Sequence, residues 1–66
     1  MNITVNGQAH TLEAGCNLHQ LIELLDLNGK KLAVEVNQEI VPRSQYQQHT
    51  LNNSDTVEIV QAIGGG

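Results

Sequence analysis

The sequence predicts an α+β fold, a mixed sheet of about five strands packed on one amphipathic helix. Three observations predict it: an Asn-Gly turn between alternating apolar segments, one short stretch with helical apolar spacing, and three further strand-like segments behind it. A chain of 66 residues forms one domain. At this size only about 60% of the unfolded surface is buried on folding, so the core is small. The expected division is a domain over 1–63 and a flexible glycine tail over 64–66.

The first segment, Met1 to Val5, puts Met1, Ile3 and Val5 on one face and Asn2 and Thr4 on the other. Asn6-Gly7 then supplies the two positive-φ positions of a type I′ hairpin turn. A two-residue turn pairs Val5 with Gln8, Ile3 with His10 and Met1 with Leu12, so a second strand runs to about Leu12. Gly15-Cys16-Asn17 ends the sheet and opens a helix, with Asn17 as N-cap and Gln20 reaching back as in a capping box. Leu18, Leu21, Ile22 and Leu25 form its apolar stripe. Asn28-Gly29 is the expected stop, which sets Lys30 and Lys31 near the negative end of the helix dipole.

Leu32 to Val36 reads as a third strand with Leu32, Val34 and Val36 inward. Asn37-Gln38 turns the chain into a short fourth strand, Glu39-Ile40-Val41, which Pro42 ends. A single helical turn is expected from Pro42 to Tyr46, and a tight turn at Asn52-Asn53-Ser54-Asp55. Thr56 to Ile63 is the last strand, with Val57 and Ile59 on one face and Thr56 and Glu58 on the other. One helix covers one face of such a sheet, giving two layers. The first and last strands are the most apolar, which suits the middle of the sheet. That order and size describe a β-grasp fold, the ubiquitin-like topology. The uncovered face carries Thr4, Glu35 and Glu58 into water, and Ala33, Val60 and Ala62 as a small apolar docking patch beside the C-terminus.

Composition excludes several classes of function. A single cysteine, Cys16, allows no intramolecular disulfide and fits a reducing compartment. No run approaches the roughly 18 apolar residues of a membrane span. The N-terminus lacks the pattern of a signal peptide, so the expected location is the cytoplasm. Three basic residues stand against seven acidic ones, a formal net charge of −4, and Tyr46 is the sole aromatic. Nucleic-acid binding needs clustered cations and stacking aromatics, so it is not expected. A modest negative charge suits encounter with a basic protein surface.

The residues that carry chemistry are at the end of the chain. The last strand runs through Ala62-Ile63 into Gly64-Gly65-Gly66. Three glycines form a slim thread that can enter a narrow tunnel and present an α-carboxylate, ionised at pH 7 because its pKa lies near 3.5. Such an anion is a competent nucleophile toward the α-phosphorus of ATP, giving an acyl-adenylate. The bland alternative is a frayed terminus of a plain β-grasp interaction module. Cys16 beside a helix start suggests a lowered thiol pKa and a persulfide carrier, or simply a small half-buried loop residue. His10, His19 and His49 are scattered and complete no zinc set, and His10 faces the helix side across from Ile3. Arg43 reads as solvated or as a partner to an acidic group. Glu35 and Glu58 read as a solvated face or as a contact with a basic enzyme. The chain has no G-x-x-x-x-G-K-[ST] loop for holding ATP itself.

Three stretches carry a family resemblance that spans essentially the whole chain. They are Ala14-Gly15 leading into Leu18-His19-Gln20-Leu21-Ile22, then Val36 through Arg43, then Val57 through Gly66. With them the chain resembles the ubiquitin-like sulfur carriers of bacteria, those of the thiamine pathway above all. The terminal Gly-Gly alone is shared with ubiquitin and with the molybdopterin-synthase small subunit, which is usually longer. The resemblance implies that an ATP-using adenylyltransferase (ThiF) activates Gly66. Sulfur from a persulfide, made by a cysteine desulfurase, then yields a thiocarboxylate that thiazole synthase (ThiG) consumes. It implies a carrier that is a co-substrate rather than an enzyme, with no bound cofactor, since the partner uses the ATP. Gly65 matters through steric access and Gly64 through spacing. A molybdopterin-type carrier is the sister reading, and a protein tag conjugated to lysines is a third.

Overall fold

Along the described residues, 1–62 of the computed structural model, the order is β1 (Asn2–Val5), β2 (Gln8–Thr11), α1 (Leu18–Leu24), β3 (Leu32–Val36), β4 (Glu39–Ile40), a 3-10 turn (Arg43–Gln45) and β5 (Thr56–Gln61). The expectations for Ile63 and for the glycines after it lie outside these residues. The strands make one sheet in the order β2-β1-β5-β3-β4. β1 runs parallel to β5, and the other neighbours are antiparallel. β1 and β5 occupy the interior of the sheet, as their apolar content predicts.

The hairpin forms as the Asn-Gly signal dictates, with φ of 49° at Asn6 and 82° at Gly7. Val5 faces Gln8 and Ile3 faces His10, and Met1 and Leu12 exchange backbone bonds of 2.7 and 2.8 Å. Alternation then sends Ile3 and Val5 into the core and leaves Asn2 exposed. On the helix, the capping box closes: the Gln20 amide donates to Asn17 Oδ1 at 2.8 Å, and the Asn17 amide donates to Gln20 Oε1 at 2.9 Å. The Leu18 and His19 amides, unpaired within the helix, donate to the carbonyls of His49 and Tyr46. Leu18, Leu21 and Ile22 are buried against Val34, Val57, Ile59 and Leu51.

The helix ends earlier than Asn28-Gly29 predicts. Its left-handed stop is Asp26, at φ 59°, with Leu25 as C-cap. The Asp26 amide donates to the Glu23 carbonyl and the Leu27 amide to the Ile22 carbonyl, both at 3.0 Å, which is the Schellman pattern. Leu27 packs partly buried against the core, so hydrophobic contact fixes the stop where glycine is absent. Lys30 and Lys31 therefore lie beyond the helix, and its last turn carries no basic residue.

The second half follows the sequence closely. Pro42 caps the 3-10 turn, and Val41 is buried, its amide bonded to Val34 O at 2.9 Å. No helix among the described residues is long and apolar enough to cross a membrane. The β3–β4 turn holds both central residues at positive φ, 52° at Asn37 and 69° at Gln38. Glutamine has no local means of offsetting that conformation, whereas glycine adopts it freely. Gln38→Gly is expected to raise the unfolding free energy by roughly 0.5–1 kcal/mol. The check is a higher urea midpoint at unchanged m-value.

Candidate functional site

The site begins with the strand that leads to the glycines. β5 is gripped at its start, middle and end. At its start, the Asn37 amide donates to Thr56 O at 2.7 Å, and the Thr56 amide returns a bond to Asn37 Oδ1 at 2.9 Å. Asn37 Nδ2 donates onward to Asp55 Oδ1 at 3.0 Å, and the Asn52 amide donates to Asp55 Oδ2 at 2.8 Å. Asp55 is only 7% exposed, so these donors are what make its burial tolerable.

In the middle, Asn6 does the work of a missing strand. β1 turns away at Asn6, yet its side-chain amide has the shape of a peptide unit. Nδ2 donates to Ile59 O at 3.0 Å and Oδ1 accepts from the Ile59 amide at 2.8 Å. The parallel β1–β5 pairing is thereby prolonged by one side chain. At the far end, Leu32 faces Gln61 in the antiparallel β3 ladder, and the Ala62 amide donates to Lys31 O at 2.9 Å. The strand is held in register up to the last described residue.

The predicted docking residues meet on the uncovered face. Ala33 and Val60 are direct cross-strand partners, both exposed, Val60 at 63%. Ala62, also exposed, follows Val60 by two residues and shares its face by strand alternation. Ile40 of β4, 78% exposed, stands opposite Glu35 and therefore on this same face, a position the sequence alone does not show. Its register was the missing signal, because a two-residue strand shows no alternation. Glu35 and Glu58 stand directly across from each other, an unfavourable like-charge pair that leaves the patch with an acidic flank. Gly64, Gly65 and Gly66 lie outside the described residues.

The remaining candidates are not brought together. His19 Nε2 lies 3.2 Å from Glu23 one helical turn on. His10 is half-buried on the edge strand opposite Ile3. Among the described residues no three His, Cys, Asp or Glu side chains are placed to hold a metal. Cys16 is half-buried, and burial, followed by the Glu13 carboxylate, pushes its thiol above the ordinary value. That opposes the lowered pKa that a reactive thiol needs and favours the packing role.

Comparison with known proteins agrees with the fold. The model of the ThiS family matches residues 3–66, through the terminal glycines. The chain is 41% identical to the sulfur carrier protein ThiS of Escherichia coli K12, over the whole of both chains. It is also 41% identical to a thiazole synthase of Paramagnetospirillum magneticum, of which it spans only 20% of the length. A crystal structure of a thiamine biosynthesis protein (ThiS) from Geobacter metallireducens superposes with a TM-score of 0.85 at 32% identity, covering both chains fully.

The grip on β5 is testable by separating its two components. Asn37→Gly keeps the backbone conformation and the backbone bond to Thr56 but removes the side-chain bonds to Thr56 and Asp55, at an expected cost of about 1–3 kcal/mol. Asn37→Ala adds the left-handed penalty, about 1 kcal/mol more. Chemical denaturation of both variants reads the difference, and equal stability of the two would remove the conformational component.

Proposed function

The chain belongs to the ThiS family and is a sulfur carrier of thiamine biosynthesis; from that premise we propose that its working group is the α-carboxylate of Gly66. A carboxylate oxygen attacks the α-phosphorus of ATP, pyrophosphate leaves, and an acyl-adenylate forms. The terminal sulfur of a persulfide then attacks the acyl carbon and AMP leaves, giving an acyl disulfide. A second thiol cleaves the S–S bond, becoming part of a disulfide itself, and frees the thiocarboxylate. The single observation that supports this most is the match over the whole of both chains to the E. coli carrier, in a chain that carries the three glycines Gly64-Gly65-Gly66.

The protein is then a consumed and regenerated co-substrate, and the catalysts are its partners. An adenylyltransferase of the ThiF type binds ATP, a cysteine desulfurase supplies persulfide sulfur, and a thiazole synthase of the ThiG type takes the product. Support for the last comes from thiazole synthases that contain a segment similar to this whole chain, such as that of P. magneticum. ATP and a reducing pool of thiols belong to the cytoplasm, which is the location this chemistry requires. Gly65 keeps the thread thin and Gly64 sets its length. Ala33, Val60 and Ala62, joined by Ile40, form the surface that seats the partner while the braced β5 aims the chain end.

Two outcomes follow. Deleting Gly66, or Gly65→Val, is expected to abolish pyrophosphate release from ATP by the activating enzyme. Stability should move by less than about 0.5 kcal/mol, the usual range for exposed changes. Val60→Asp is expected to slow the same reaction at least about tenfold by placing a desolvated charge in the interface. Its stability cost should stay under about 1 kcal/mol, since Val60 is exposed. Full activity in all three variants would leave the inert interaction module as the better account. Activity with a molybdopterin-type partner and none with thiazole synthase would move the carrier to the sister pathway.

A further inference from the structure

A groove of about 610 Å³ lies between the loop after α1 and the 3-10 turn, on a different part of the molecule from the docking patch. Its floor is apolar, made by Ile22, Leu27, Leu32 and Tyr46, all buried or half-buried. Lys30 and Arg43 stand exposed along it. Two of the chain's three cations thus line this groove, and none of its seven carboxylates does. Glu23, which lines the neighbouring groove, reaches His19 at 3.2 Å. Among the described residues Lys30 and Arg43 make no ion pair. Arg43 does act on the Tyr46 phenol, opposing the rise that burial causes there.

Charge segregation of this kind is local. At physiological salt the screening length is about 8 Å, so a ligand in the groove meets two cations rather than the net charge of the whole chain. We propose that the groove docks an acidic segment of a partner protein, its carboxylates on Lys30 and Arg43 and an intervening apolar side chain on the floor. A peptide suits the groove better than a nucleotide does. Tyr46 is buried and is the chain's sole aromatic, so no stacking platform is offered. The inference goes beyond sulfur transfer and is independent of the glycine tail.

The test uses the full chain, 15N-labelled, and a blocked peptide Asp-Leu-Glu-Leu-Asp. Saturable shifts are expected at Gly29, Lys30, Ser44 and Gln47, and not with the uncharged analogue Asn-Leu-Gln-Leu-Asn. Exposed charge pairs each change affinity a few-fold, so the double variant K30Q/R43Q should weaken binding about tenfold. Lys31→Gln, a charge change off the groove, should alter it less than twofold. Deleting Gly66 should leave the peptide affinity unchanged even though it abolishes adenylation. The proposal is overturned if the double variant binds normally, or if the shifts fall on the uncovered sheet face. It is equally overturned if inorganic phosphate gives the same shifts at the same concentration, which would make the groove a small-anion site.

Discussion

Everything in this molecule depends on fixing its last strand at the centre of the sheet. β5 pairs with β1 on one side and β3 on the other, so within the sheet the β1–β2 hairpin meets β3 and β4 only through it. The parallel side is short, two residue pairs, because β1 must turn back into its own hairpin. The side chain of Asn6 makes up the shortfall with two bonds to Ile59. One residue thereby serves as a turn former for β1 and as a surrogate peptide for β5. Asn37 repeats the device at the other end, turning β3 into β4 while bonding Thr56 and the buried Asp55.

Such polar bracing suits the size of the domain. The core is a single cluster of short aliphatic side chains with one tyrosine, and a domain this small has only a few kcal/mol of net stability. Each satisfied buried polar group matters in that setting, because leaving one unpaired costs about as much as losing a core methyl or two. No buried side-chain oxygen or nitrogen among the described residues lacks a partner. A strand held this firmly is a suitable mount for the segment that the proposed function threads into another protein. The folded part supplies position, and the proposed chemistry needs only a carboxylate.

How much of this could be read from the sequence follows from the range of each signal. The Asn6-Gly7 hairpin and the Asn17–Gln20 capping box are local, and both formed as their residues dictate. The helix stops before Asn28-Gly29, the sequence signal for a stop, because Asp26 takes the left-handed position with Leu27 anchoring it. The second roles of Asn6 and Asn37 were not legible, because a turn already explains each of them and their partners are 53 and 19 residues away. The place of Ile40 on the uncovered sheet face depends on register, which a two-residue strand does not show. The placement of Ala33, Val60 and Ala62 on the uncovered face was legible because β3 and β5 are long enough for alternation to show. The glycines were legible as a thread that presents a carboxylate, whereas the transfer of sulfur onto it is implied only by the resemblance to sulfur carriers.

The central claim is that Gly66 is the point of chemistry and the rest of the chain its holder. The most direct measurement is the mass of the C-terminal fragment after incubation with a ThiF-type enzyme, ATP and a persulfide source. Exchange of sulfur for oxygen adds about 16 mass units, the same as oxidation of methionine, so the gain must be located on the fragment that ends in Gly66. The account predicts that gain, and only when ATP is present. A fragment of unchanged mass, with an enzyme shown to be active, would contradict it.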